Sequence, residues 1–200
     1  MQTTRNINFM HPVYTKYSED QISKIGNSII YLLEKIDDLP KTKLLKLLYI
    51  LDEVSIKKSG IPFLNLHYDV WKFGPVDKDI FIEFSSKPNL LKKYIKRTAT
   101  ADGKTKISKA SEFCDDEFSD NEIDLLDFVI SKFGKSSSKE LVSYTHKKGS
   151  PWYNVAKKNS LLELLVKEEI NSTDLEIDLS VLVQHDKRKK QLFKEFILFS

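Results

Sequence analysis

The residues with types suited to chemistry in this 200-residue chain are four histidines, one cysteine and an acidic pair inside an apolar run. His11, His67, His146 and His185 are scattered. None stands at H-E-x-x-H spacing or beside a cysteine pair, and a zinc site needs three or four ligands close in space. The expectation is no metal and no cofactor. Cys114 is followed by Asp115, Asp116 and Glu117, whose charges disfavour a thiolate, so it does not read as an activated nucleophile. A lone cysteine closes no internal disulfide, which suits a reducing cytosol. Ser143, His146 and Asp52 could be written down as a triad, but so could many other triples, and no G-x-S-x-G elbow accompanies them. The P-loop and the dinucleotide glycine fingerprint are absent, and six glycines leave the backbone little means of cradling phosphate. An enzyme is the least favoured reading. Acids within a mostly buried helix need partners. Asp52 is therefore expected to accept backbone N–H bonds from the turn at Trp71 to Val76.

That turn is the first of two stiff clusters. In Trp71-Lys72-Phe73-Gly74-Pro75-Val76, Gly74 permits a backbone conformation closed to other residues, and Pro75 fixes the next step and restrains its predecessor. Together they are expected to turn a strand sharply into a helix. Two roles stand open for Trp71 and Phe73. They pack on the preceding helix, or they offer aromatic anchors to a partner. The second cluster is Tyr144-Thr145-His146 with Pro151-Trp152. At a helix C-terminus His146 would be favoured in its charged form by the helix dipole. Trp152 is expected to bury its ring and find one acceptor for its indole N–H. The candidate partner-binding residues are Trp71, Phe73, His146 and Trp152.

The elements that must position these residues follow from periodicity and punctuation. Ser18 with Gln21 reads as a capping box opening a helix whose stripe is Ile22, Ile25, Ile29, Leu32, Leu33 and Ile36. Pro40 suits the first turn of a second helix, apolar almost all round from Leu44 to Val54 and ended by a left-handed cap at Gly60. Leu66 to Phe73 has strand composition, broken by Gly74-Pro75, and Asp77 to Ser85 reads as a short helix turning Ile80, Phe81 and Phe84 inward. Lys92 to Lys109 carries a hairpin signal around Asp102-Gly103. Its lysines either guard a sheet edge or touch nucleic acid. Ser119 with Glu122 and Ser137 with Glu140 open two further helices as capping boxes. Residues 153 to 170 look helical, Leu175 to Leu179 alternates like a strand, and Lys187 to Phe199 reads as a terminal helix with Leu192, Phe193, Phe196 and Ile197 on one side. The fold class is mainly α: a compact helical domain with a small β-hairpin or short antiparallel sheet.

Composition is that of a globular chain, with 40% hydrophobic and 30% charged residues. The formal charge is only +3, against the stronger basic excess common in nucleic-acid binders. Lys187-Arg188-Lys189-Lys190 is the concentrated basic stripe, read as a solvated helix turn or as a phosphate contact. No signal-peptide pattern opens the chain, and no apolar stretch approaches bilayer length.

Several of these segments in order resemble the SocA-like, or Panacea, antitoxin family, once labelled phage-associated GepA-like. Lys43-Leu44-Leu45-Lys46-Leu47-Leu48-Tyr49-Ile50, Gly60-Ile61-Pro62-Phe63 and Trp71 to Val76 are similar to its first signature. Phe133-Gly134-Lys135-Ser136-Ser137-Ser138-Lys139-Glu140-Leu141, with Thr145-His146 and Pro151-Trp152, are similar to its second. Leu45 stands where the family has Gln, Phe73 where it has Tyr, and Asp77 where an apolar residue or Pro is common. The resemblance implies a mainly helical antitoxin, cytoplasmic and bacterial or phage-encoded, that neutralises a cognate protein toxin by direct binding. It carries no catalytic residues. Alternatives are an adaptor delivering a partner to a protease complex, or a nucleic-acid-binding regulator. The expected organisation is an N-terminal arm over residues 1–17, the family domain over 18–158, and a C-terminal extension over 159–200 packed on the same domain.

Overall fold

The structure is a computed structural model that describes residues 16–99 and 105–199. The arm expected before the first helix therefore lies outside the described residues up to residue 15, as does the hairpin tip at Asp102-Gly103. Among the described residues, α-helices predominate, joined by two antiparallel sheets of two strands each.

Helix α1 (Glu19–Lys35) starts where Ser18 Oγ accepts the Gln21 N–H. The return half of the expected capping box is not made. The Gln21 amide reaches instead to the carbonyls of Leu64 and Asn65, at 2.9 and 3.2 Å, and ties α1 to a loop far along the chain. Helix α2 (Lys41–Ser59) begins one residue later than expected, with Pro40 as N-cap, and ends on Gly60 at φ 87°. It is the central rod. From Lys43 to Val54 every residue is buried, and α4, α5 and α8 all pack on it. Buried leucines such as Leu44, Leu47 and Leu48 each contribute about 1.5–3 kcal/mol by leaving water.

The expected strand over Leu66 to Phe73 shrinks to β1 (Asp69–Trp71), and Gly74-Pro75 does not break it. These two residues open β2 (Gly74–Val76), which folds back antiparallel with Asp69 opposite Val76 and Trp71 opposite Gly74. Helix α3 (Lys78–Ser85) follows, capped by Asp77, whose Oδ1 accepts the Ile80 N–H at 3.0 Å. Strands β3 (Ile95–Ala99) and β4 (Thr105–Lys109) pair as the predicted hairpin, with Ile95 and Ile107 buried and most of the lysines outside.

Both later capping boxes form, at Ser119 with Glu122 for α4 (Asp120–Phe133) and at Ser137 with Glu140 for α5 (Ser138–Thr145). The stretch read as one helix after Pro151 is two, α6 (Pro151–Lys158) and α7 (Leu162–Val166), parted where Ser160 takes φ 57°. The strand expected over Leu175 to Leu179 reduces to a single bridge between Asp69 and Glu176, because Leu179 already starts a 3-10 helix (Leu179–Val183). Leu165, Ile177, Leu179 and Val183 are buried in the common core, so residues beyond 159 pack on the same body. Helix α8 (Lys187–Phe199) buries no residue. Its first turn lies against the C-terminus of α2, where Lys189 Nζ donates to the Lys57 carbonyl at 2.7 Å, while Ile197, Leu198 and Phe199 stay exposed.

Candidate functional site at the hairpin corner

The β1–β2 tip is a two-residue loop, Lys72-Phe73, closed by Gly74 at φ 94°. A side chain at Gly74 would also collide with its surroundings: an added Cβ would lie 2.6 Å from Thr145 Oγ1 and 3.1 Å from Lys46 Cε. The glycine thus lets the hairpin settle directly onto α2 and α5.

Three helices hold this tip from beneath. From α2, Lys46 is 1% exposed and donates from Nζ to the Pro75 carbonyl at 2.5 Å. Burial pushes its amine down to about 7. From α6, the Trp152 indole N–H donates to the Trp71 carbonyl at 2.9 Å, which is the single acceptor expected for it. From the C-cap of α5, His146 stacks on Trp152 with ring centroids 3.7 Å apart. On its other edge β1 is covered by the 171–177 segment, with Lys72 N–H on the Asn171 carbonyl and Val70 N–H on the Leu175 carbonyl.

The four candidate residues meet here, in unequal settings. Trp71 turns its ring edge-on to Phe81 of α3 at 4.7 Å, and its indole N–H is buried with no partner. Phe73 is 58% exposed, with Lys72 Nζ 5.0 Å from its ring centre and Lys72 paired to Glu168 at 2.5 Å. Trp152 is buried and His146 half-buried. The expected charged state of His146 is reversed. Burial, and then the nearby Lys46 charge, lowers the imidazole to about 4, which outweighs the helix dipole because a half-buried ring has lost much of its hydration. Its Nε2 is buried without a hydrogen-bond partner.

Asp52 is not joined to this turn. It is fully buried, and its carboxylate accepts the N–H groups of Leu64, Asn65 and Leu66 and the Tyr68 hydroxyl, at 2.6 to 3.2 Å. Its role is to pin the loop after α2. Asp77, just after β2, caps α3 and also accepts the His67 N–H at 3.0 Å and the Tyr17 hydroxyl, so no N–H of the 71–76 turn goes to it either. Lys46 was not singled out in the sequence, where it reads as one more lysine in a helix. The signal was its place inside a run of leucines with no polar face to share. Lys43 repeats the device, donating to the Gly134 carbonyl at 2.5 Å.

Among the described residues no three or more of His, Cys, Asp and Glu are grouped to hold a metal ion, and no helix is long and apolar enough to cross a membrane.

A mainly helical body carrying a clamped aromatic hairpin is the arrangement that the two sequence signatures outline. The family model described as antitoxin SocA-like, Panacea domain, matches residues 44–153, more than half of the chain. The chain belongs to this antitoxin family. No curated protein matches it, and no solved structure does.

Proposed function

We propose that this chain neutralises a cognate protein toxin by direct binding, in the cytoplasm, and that it works through contact rather than catalysis. The observation that supports this reading is Phe73, a large aromatic side chain presented to solvent on a two-residue loop whose neighbours are all anchored. A loop backbone already held in place loses little conformational freedom on docking, so more of the area its side chain buries counts as affinity. In this reading Phe73 makes the contact. Trp71, His146 and Trp152 set the position of the loop. Asp52 of α2 already accepts from four donors, which supports a structural role for it.

The test is co-expression with the adjacent reading frame. Wild type should restore growth to cells expressing the neighbouring gene product, and Phe73→Asp should not, while its melting temperature stays unchanged. A neighbouring product that is harmless alone, or full rescue by Phe73→Asp, would reject the proposal. The toxin's level should persist in a stable complex. A falling level would point to proteolytic delivery instead.

A further inference from the structure

Helix α7 ends in a Schellman turn, with the Glu169 N–H on the Leu164 carbonyl at 3.0 Å and the Glu168 N–H on the Leu165 carbonyl at 3.4 Å. Glu168 is the residue just past the cap Lys167, and it takes φ 62°. Glycine is usual at that position, because a left-handed backbone crowds any Cβ. Among the described residues, the other non-glycine positions with positive φ are Asp38, Asn65 and Ser160, all short polar side chains. Glu168 is long, and its carboxylate leaves its own turn to meet Lys72 Nζ at 2.5 Å.

Lys72 is half of the two-residue hairpin tip, and it is tied twice to this segment. Its N–H donates to the Asn171 carbonyl at 2.9 Å, and its side chain, 19% exposed, pairs with Glu168. The same ammonium lies 5.0 Å from the Phe73 ring centre, within reach of a cation–π contact. A chain of contacts thus runs from a strained residue to the exposed aromatic. Folding stability alone gives no reason for a glutamate here. Glycine would relieve the strain, and an ion pair whose carboxylate is 69% exposed contributes little.

We infer that Glu168 is a positioning residue for the partner contact: it holds Lys72 against the Phe73 ring and so fixes the orientation in which that ring meets the cognate protein. The inference rests on the reading of Phe73 as the contact. A ring without this clasp samples more orientations, and ordering it on docking costs affinity. Lys72 and Phe73 lie inside the family match over residues 44–153 and Glu168 lies outside it, so the segment after the matched domain sets how its hairpin is presented.

Two variants separate strain from charge. Glu168→Gln keeps the strain and removes the charge, and Glu168→Gly removes both. The first readout needs no partner. The Phe73 ring should shift the Lys72 side-chain protons upfield in NMR spectra, with Phe73→Leu as the unshifted reference, and both Glu168 variants should lose most of that shift. In urea, Glu168→Gly should be more stable than Glu168→Gln, by about fivefold or more in the unfolding constant. Binding to the purified product of the adjacent reading frame, measured by biolayer interferometry, should weaken about threefold or more, and equally, in both variants. A merely structural role would make affinity follow stability instead. Lys72 shifts retained in both variants, affinity that tracks stability, or affinity equal to wild type would overturn the inference. A neighbouring product that binds no form of the protein would sink the toxin reading, and the NMR arm would still decide whether Glu168 holds Lys72 on the ring.

Discussion

Lys46→Met is the perturbation that most directly tests how the hairpin corner is held. Methionine matches lysine in length and helix propensity but carries no amine. In the folded chain Lys46 is 1% exposed, bonds one carbonyl, and has its amine lowered to about 7 by burial. The unfolded chain keeps its proton up to the ordinary value of 10.5. Between those two values unfolding takes up a proton, so this amine makes stability rise with pH across that window and leaves it flat below pH 7. With each pH unit worth at most ~1.4 kcal/mol, the wild type should gain about 2 kcal/mol from this group between pH 7 and pH 9. The variant lacks that gain and leaves the Pro75 carbonyl without its donor, at a cost of about 1–3 kcal/mol. The difference between the two proteins should therefore shift toward the wild type as pH rises, with the variant comparing best near pH 6, where the wild type buries a charge. Urea unfolding followed by circular dichroism at pH 6, 7, 8 and 9 measures it, and the raised tyrosines common to both proteins cancel in the difference. Parallel stability curves for the two proteins across this range would refute the argument.

Three further outcomes are expected. Asp52→Ala strands three backbone N–H groups of the loop after α2 and leaves the Tyr68 hydroxyl only the Leu48 carbonyl at 3.2 Å, and should cost at least ~3 kcal/mol in urea unfolding. Gly74→Ala must take φ 94° and meet Thr145 Oγ1 at 2.6 Å, so it should destabilise by more than the ~1–3 kcal/mol of backbone strain alone. Gly149→Ala, at φ 84° with nothing within 4 Å of the new Cβ, isolates the strain in the same unfolding assay. The imidazole of His146, followed by NMR, should stay neutral down to about pH 4. Stability should then fall as pH drops from 6.5 to about 4, since the unfolded chain takes up that proton first; a titration midpoint above 6.5 would restore the dipole argument.

Sequence alone determined what short-range chemistry decides. Both later capping boxes, the left-handed Gly60, the short α3 and the pairing of β3 with β4 as a hairpin follow from residues a few positions apart, and all were legible. The encirclement of α2 was legible too, because leucines on every side leave no face for water. The two tryptophan-bearing segments stood out by residue type, and the structure joins them through the Trp152 N–H and the Trp71 carbonyl. Tertiary structure decided which partner each buried polar group finds. Gln21 abandoned its local cap for carbonyls of the loop after α2, and Asp52 took that same loop instead of the hairpin. Lys46 became the clasp of the turn, while Phe73 was left in water and Trp71 sent against α3. The physical reason is common to all of these. A buried donor or acceptor must be satisfied by whatever group the packed chain brings near, and that neighbour is set by contacts dozens of residues distant in sequence, which no local pattern encodes.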